Sequence, residues 1–428
     1  MKIKIWGVRG SIPSPLKPED IEEKIFHAIF GMPKIDTHDA EAVWDHISEL
    51  PPVIRGTAGG NTACVEIRAG DTTIIIDAGS GIRELSVDLM KGPWGQGEGS
   101  LHLFFSHAHW DHIQGFPFFR PLFVPGNQIY IYSVHDMHEA LSTQQNPLNF
   151  PVPLSYMQAD LEFVSLQVSQ PFSIGKVQIA TICNPHPGDA YSFRFEDEHS
   201  IFVYASDAEF QQLDDASVQP HIEFFRNADA LIFDAQYTLR EAWDKVDWGH
   251  SSAMIGVDLA RAARVKKLLL FHHDPTYSDT ELLEIQSTAI AYQAQDISRP
   301  TCEVIVAYEG MQLDLTPPGA VELQLLPDQE TAVLTPTSVF DERGVDSLVE
   351  QISNLTEQGA YLGSIINLSQ VETLTTAGLK MLVALRHENE GSPIVLAGPS
   401  ESALRVIKLG GYTDLFAIYP SVDAAIAA

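Results

Sequence analysis

Apolar and polar residues alternate from the start of the chain. Lys2-Ile3-Lys4-Ile5-Trp6 has the period of two expected of a half-buried strand, and it runs into a glycine-containing turn, Gly7-Val8-Arg9-Gly10-Ser11-Ile12-Pro13. Ala63–Ala69 and Thr72–Asp77 predict two more strands, joined at Gly70-Asp71 as a tight hairpin. Leu101–Phe105, Ile201–Ala205 and Leu268–Phe271 are continuous apolar runs, the pattern of strands covered on both faces. Ala253–Val265 reads as a helix, and Ile21–Phe30 and Ala40–Leu50 as two short amphipathic helices. Beyond the last strand-like run, Cys302–Leu315, the segment Thr316-Pro317-Pro318-Gly319-Ala320 interrupts the pattern. From Val321 it resumes as strand, strand, helix (Glu342–Gln358), strand (Tyr361–Leu368), helix (Ala377–Asn389), strand (Pro393–Ala397) and helix (Ser402–Leu409). The 428 residues exceed what one core usually occupies, so two domains are expected, 1–316 and 317–428.

Metal-ligating side chains sit where the strand-like runs end. Ser106-His107-Ala108-His109-Trp110-Asp111-His112 places four ligand candidates in six positions after Leu101–Phe105. His107 and His109, two apart, leave a strand end on one side, while Asp111 and His112 turn toward a second point. Two divalent ions about 3.5–4 Å apart can clamp both the attacking and the leaving oxygen of a displacement. His186 lies in the turn Asn184-Pro185-His186-Pro187-Gly188-Asp189, Asp207 follows Ile201–Ala205, and the pair His272-His273 follows Leu268–Phe271. Cys64, Cys183 and Cys302 fall outside these loops. Oxygen and nitrogen donors therefore suit Zn²⁺, with Mn²⁺ or iron as alternatives.

The H-x-H-x-D-H order and the ligands behind it resemble the metallo-β-lactamase superfamily. The resemblance implies a four-layer αββα sandwich over residues 1–316, interrupted by an insertion at about 18–52 that could act as a lid or as a contact in a homodimer. It also implies His107, His109 and His186 on one metal, Asp111, His112 and His272 on the other, and Asp207 as the bridge. Leu270-Phe271-His272-His273-Asp274-Pro275 is similar to a Leu-Thr-His-Phe-Ser pattern in ribonuclease Z, which favours His272 over His273. Di-iron branches carry a Glu where Ala108 stands, so hydrolysis is favoured over redox chemistry; a bound cation lowers the pKa of water from 15.7 to about 7. Asp77, in Asp77-Ala78-Gly79-Ser80-Gly81, is expected to order the metal loop by hydrogen bonding, a plain turn residue being the alternative. Asp234-Ala235-Gln236-Tyr237 followed by Gly249-His250-Ser251-Ser252 reproduces an order seen in ribonuclease Z and small-substrate phosphodiesterases. There the equivalent of His250 acts near the scissile phosphate, oriented by an acid that maps onto Asp234; the plain alternative is that His250 caps the helix that follows. Asp111, His250 and Asp234 are thus the catalytic candidates. His27, His38 and His46 read as surface residues, and His135 and His138 as exposed helix residues.

Beyond Val321, Ile365-Ile366-Asn367-Leu368-Ser369 leading into Leu374-Thr375-Thr376-Ala377-Gly378-Leu379 resembles the small α/β STAS domain of anti-sigma-factor antagonists. The resemblance places Thr376 at the phosphoacceptor position and implies an anti-sigma-factor-like or kinase-like protein partner. Thr375 and Ala377 depart from the family's Asp-Ser-Ser-Gly pattern, and an ordinary helix cap on a docking domain is the alternative.

Net charge narrows the partners. The chain carries 26 Lys and Arg against 57 Asp and Glu, a formal charge of −31, with no basic cluster of the kind that releases counterions from nucleic acid. A small phosphodiester, such as a cyclic nucleotide, is the expected substrate. Three cysteines do not suggest a disulfide framework, and no run reaches the roughly 20 apolar residues of a membrane span, so a soluble cytoplasmic protein is expected. Three readings stand beside the phosphodiesterase: hydrolysis of a lactone or thioester, ribonuclease Z-like RNA processing, and a STAS signalling protein with a vestigial hydrolase.

Overall fold

In the computed structural model, strands β1 (Lys2–Gly7), β2 (Cys64–Ala69), β3 (Thr72–Ile76), β4 (Ser100–Phe104), β5 (Gln128–Ser133) and β6 (Asp160–Ser165) lie side by side in chain order. A second sheet runs in the same fashion through β7 (Phe172–Ile174), β8 (Val177–Asn184), β9 (Ala190–Glu196), β10 (Ile201–Ala205), β11 (Ala230–Asp234), β12 (Lys267–Phe271) and β13 (Glu303–Val306). β14 (Gln312–Asp314) returns to pair with β1, giving seven strands in each sheet. The structure describes every residue except 31, 34, 212–213, 317–320, 327–330, 337–338, 341–347, 350–351, 353–362, 372, 389–393, 414 and 428.

The β2–β3 hairpin turns at Gly70, whose φ of 56° lies in the left-handed region that costs glycine nothing. β3 to β6 are parallel, as are β10 to β13. Ile5, Val65, Ile74, Ile76 and Phe104 of the first sheet meet Phe193, Phe195, Tyr204, Ile232 and Phe271 of the second in one core. The opposite face of the first sheet, with Ile75, Leu101 and Leu103, is covered by Ile82 and Leu85 of helix Ile82–Leu89 and by Leu141 of helix Met137–Gln144. The opposite face of the second, with Leu231, Phe233 and Leu270, is covered by Val257 and Ala260 of helix Ala253–Ala262 and by Leu282 of helix Asp279–Ala294. These are four layers, helix, sheet, sheet and helix. Burial on both faces explains the unbroken apolar runs of β10 and β12, each such side chain contributing roughly 1.5–3 kcal/mol.

The insertion forms the helices Pro18–Ile29 and Ala40–Glu49, and neither holds a buried residue. The first is tied down by Lys24, whose ammonium donates to Asp279 Oδ2 (2.8 Å) and to the Gly56 carbonyl (3.0 Å).

The chain divides into two compact units, Met1–Leu315 and Thr316–Ala428. The second unit has a five-stranded sheet in the order Val321–Leu325, Thr331–Pro336, Gly363–Asn367, Ile394–Ala397, Ile418–Tyr419. Helices Thr376–Glu388 and Glu401–Leu409 accompany it, and Leu334, Ile366, Leu379, Leu396 and Ile407 share its core. The helix expected over Glu342–Gln358 lies largely outside the described residues. Among the described residues no helix is long and apolar enough to cross a membrane.

Candidate metal centre

Chain direction brings the ligand candidates together. The parallel strands of each sheet end at one edge, where α/β folds characteristically place their ligands. His107 and His109 follow β4 and lead into the one-turn helix Trp110–Ile113, which carries Asp111 and His112. His186 occupies the turn between β8 and β9, Asp207 follows β10, Asp234 is the last residue of β11, and His272 follows β12. Asp77, Asp207 and His272 leave their strands with φ of 59°, 58° and 57°. That region costs an L-residue roughly 1–2 kcal/mol and is found where surroundings over-determine the backbone.

Two groups of donors result. His107, His109 and His186 have ligand atoms within 4.8 Å of one another, as do Asp111, His112, Asp207 and His272. Asp207 lies between the groups: Oδ2 is 3.1 Å from His112 Nε2, and Oδ1 is 3.3 Å from His272 Nε2, 3.8 Å from His107 Nε2 and 4.0 Å from His186 Nε2. His273, the other member of its pair, turns away and donates from Nε2 to the Ala307 carbonyl (2.9 Å).

Tautomers set by the neighbours test whether this arrangement fits a cation. His112 donates from Nδ1 to Asp77 Oδ2 (2.7 Å) and His272 donates from Nδ1 to Gln236 Oε1 (2.9 Å), so each keeps a lone pair on Nε2. Those two Nε2 atoms face each other at 3.3 Å, a contact that requires a positive charge between them, either a proton or a bound cation. His186 donates from Nδ1 to the Gly249 carbonyl (2.8 Å), freeing its Nε2 as well. His107 Nε2 is buried with no hydrogen-bond partner among the described residues. A ligating imidazole held at its other nitrogen is the usual architecture of such centres.

Electrostatics agree. Burial works against the charged form of His112, yet Asp207, Asp111 and Asp77 outweigh it and hold its pKa well above the ordinary value. His272 is pushed up to about 9 against burial, chiefly by Asp207 and Asp111. Burial opposes ionisation of Asp207 too, but His112, His272 and His107 keep its pKa well below the carboxylate range, and Asp111 is held low by His112 and His272. The carboxylates demand positive charge at this point, and the residues present fit two divalent ions.

Beside the donors stands His250, whose Nδ1 bonds Asp234 Oδ2 at 2.8 Å. Asp234 is fully buried, and its oxygens also accept the backbone N–H groups of Ala208 (3.2 Å) and Gln236 (3.1 Å). The His250 ring stacks on His272 with centroids 4.9 Å apart and lies 5.4 Å from His186. It does not cap the following helix, because that N-cap is Ser252. Asp77 accepts from the Ser106 N–H and Oγ (both 2.8 Å), from His112 and from the Tyr204 hydroxyl (2.7 Å).

Two family models match the chain, one for the Beta-lactamase superfamily domain over residues 72–273 and one for the STAS domain over residues 323–425. This chain joins a metallo-β-lactamase domain to a STAS domain. The ribonuclease Z of Thermoplasma acidophilum is 25% identical over 246 residues, 46% of this chain and 77% of that protein. Among solved structures, the metallo-β-lactamase fold protein YhfI from Bacillus subtilis is 19% identical, with a TM-score of 0.47, over 73% of this chain and 98% of that one. The anti-sigma factor antagonist SpoIIAA in its unphosphorylated form is 22% identical, with a TM-score of 0.23, over 25% of this chain and 93% of that one.

Three residues around the metallo-β-lactamase centre escaped the sequence reading. Gln236, two residues beyond Asp234, holds His272. Ser11, at the end of the first turn, donates its backbone N–H to Asp111 Oδ2 (2.7 Å). Glu209, two residues beyond Asp207, accepts from the N–H groups of Asp247 (2.9 Å) and Gly249 (2.7 Å) and so braces the loop that carries His250. Spacing from Asp234 and Asp207 was the available signal for Gln236 and Glu209, whereas Ser11 had none. His135 is not helical: it precedes the Asp136 cap of helix Met137–Gln144 and is half-buried, its Nε2 bonding the Asp189 carbonyl at 2.8 Å. In the STAS domain Thr376 is exposed at the first position of its helix, and the capping is done by Thr375, whose Oγ1 accepts the Gly378 N–H at 3.0 Å.

Proposed function

We propose that the metallo-β-lactamase domain is a dinuclear metal-dependent phosphodiesterase for a small phosphodiester, a cyclic nucleotide being the leading kind, and that the STAS domain regulates it or docks a protein partner. One observation carries the reading: a carboxylate-held imidazole, His250 on Asp234, faces a double donor set in which Asp207 adjoins both groups.

His107, His109 and His186 would hold one ion, Asp111, His112 and His272 the other, and Asp207 both; zinc suits these nitrogen and oxygen donors. Two such ions lower the pKa of water and neutralise charge gathering on phosphoryl oxygens. Two dications against two carboxylates leave the centre positive, so it attracts an anionic phosphodiester despite the chain's net charge. Asp234 accepts from His250 Nδ1 and orients the ring, and Nε2 would give a proton to the departing alkoxide.

A small substrate is favoured by the surroundings. A cavity of about 670 Å³ beside His186 is lined by Asp189, Glu209 and Asp247 and, among the described residues, by no Lys or Arg. A long polyanion would meet carboxylates there without counter-charge. The named relative supports a second reading, RNA processing, and the same experiment separates the two. Purified protein, its metals measured, is assayed on bis(4-nitrophenyl) phosphate, on 2′,3′- and 3′,5′-cyclic nucleotides, on a precursor tRNA, and on a lactone and a thioester. Turnover of the small phosphodiesters at the highest kcat/KM is expected. A preference for the precursor tRNA selects the second reading, and turnover confined to lactone or thioester overturns both.

A further inference from the structure

We infer that the turn Val8–Ser11, acting with Gln236, is the device that positions Asp111 and His272 and so sets the affinity of the second metal site. The inference rests on the dinuclear reading above.

The turn is built to reach that site. Strand β1 ends at Gly7, and the chain crosses to the end of β12 in the other sheet: the Gly10 N–H donates to the His273 carbonyl and the His273 N–H to the Val8 carbonyl, both at 3.0 Å. Arg9 between them is buried, and its guanidinium is spent entirely on backbone, donating to the carbonyls of Gly59 (2.8 Å), Asp274 (2.9 Å) and Tyr277 (2.9 Å). Two segments, the one at Gly59 and the stretch from Asp274 to Tyr277 that follows His272, are thereby tied to one side chain. A buried guanidinium with every contact to carbonyls serves to fix those segments.

Held this way, the next two residues touch the second site. Ser11 takes a φ of 63°, a conformation L-residues rarely adopt, and its N–H meets Asp111 Oδ2 at 2.7 Å. Its hydroxyl accepts from Gln236 Nε2 at 3.2 Å, and Gln236 Oε1 in turn accepts from His272 Nδ1 at 2.9 Å. Asp111 and His272 are thus joined by a chain of bonds through Ser11 and Gln236, and the Asp111 Oδ2 that Ser11 holds is the oxygen that lies 3.0 Å from His272 Nε2. Gly10 is required for the fit: a Cβ there would stand 2.4 Å from His272 Nδ1 and Cε1 and 3.0 Å from Gln236 Oε1. The His107, His109 and His186 group has no contact of this kind with the turn among the described hydrogen bonds. The effect is therefore specific to one of the two ions.

The test is metal affinity, read without substrate. Wild type, Gln236→Ala, Gln236→Glu and Gly10→Ala are titrated with zinc against a chromophoric chelator, and the metal-free proteins are melted in parallel. Removing an outer hydrogen bond to a ligand typically weakens metal binding about 10- to 100-fold. Gln236→Ala and Gly10→Ala should each weaken one ion by that factor and leave the other at wild-type affinity, while the metal-free melting curve stays a single cooperative transition. Gln236→Glu keeps the acceptor for His272 Nδ1 and should restore tight binding. Wild-type affinity for both ions in Gln236→Ala and Gly10→Ala overturns the inference, as does equal weakening of both ions together with a lowered melting curve. Wild type that binds a single ion instead removes the dinuclear reading on which it stands.

Discussion

Asp77→Asn isolates what one buried carboxylate does for the metallo-β-lactamase centre. Asparagine tolerates the left-handed φ of 59° that Asp77 adopts, so the backbone is left alone and only the acceptors change. Four donors converge on the two oxygens: the Ser106 N–H on Oδ1, and the Ser106 hydroxyl, His112 Nδ1 and the Tyr204 hydroxyl on Oδ2. An amide cannot serve both positions. With its oxygen at the Oδ2 place, the –NH₂ confronts the Ser106 N–H, and one buried backbone donor is orphaned at roughly 1–3 kcal/mol. The three remaining bonds lose charge assistance, which about halves their strength. A total near 2–4 kcal/mol follows, or a fall on the order of 4–8 °C in the melting midpoint of the metal-free protein at roughly 2 °C per kcal/mol. His112 is freed at the same time to take its other tautomer, so metal affinity should drop about 10- to 100-fold. Thermal melting in chelator and zinc titration check the two halves. A variant that melts within a degree of wild type and binds zinc as tightly would show Asp77 to be an ordinary turn residue and refute the argument.

Asp207→Ala should cost both ions rather than one, because its carboxylate lies within 4.0 Å of His107, His186, His112 and His272; elemental analysis of reconstituted protein checks it, and at most one ion in the wild type would sink the bridge. His250→Ala should lower turnover of a phosphodiester with a basic leaving group by about 10²–10⁴-fold, spare a nitrophenolate ester by comparison, and leave metal content intact; equal losses on the two substrates would assign His250 to positioning. A chain ending near Thr316 should keep hydrolase activity, since every proposed ligand lies within Met1–Leu315. A phosphate on Thr376 would add about −1.5 to −2 charges at an exposed helix start, so Thr376→Glu should change which proteins full-length chain captures; unchanged capture would remove the phosphoswitch from consideration.

Much of the candidate centre was legible because its proposed ligands sit where apolar runs stop. Runs such as Ile201–Ala205 and Leu268–Phe271 announce strands buried on both faces, and a polar residue at the end of such a run has left the core. What period-two reasoning could not decide was the direction of the first residue past the strand. Along β12, Leu269 and Phe271 face the core between the sheets while Leu268 and Leu270 face the helices. Continued alternation assigns His272 and His273 to opposite sides without saying which side holds metal. The resemblance to ribonuclease Z favoured His272, and in the structure φ changes sign there, the chain turns, and Nε2 lies 3.0 Å from Asp111 Oδ2 and 3.3 Å from Asp207 Oδ1. His135 was misread for a more avoidable reason. Asp136 followed three residues later by Glu139 marks a helix start, and the Asp136 side chain does accept the Glu139 N–H at 3.0 Å.

The same sign change at Asp77, Asp207 and His272 accounts for what the sequence could not display about the rest of the site. A strand that continued straight would carry these side chains past the edge of the sheet, away from the partner sheet's donors. A left-handed residue at the edge folds each back over it, at a cost of about 1–2 kcal/mol apiece. Local propensity gives no reason to accept that cost at Asp or His, so it must be offset by contacts distant in sequence. Those contacts are present: Tyr204 and His112 on Asp77, Gln236 and Asp111 on His272, and the imidazoles around Asp207. Nearly all of them join residues more than thirty positions apart, which is why the candidate ligands could be named along the chain while the residues that aim them could be found only in the fold.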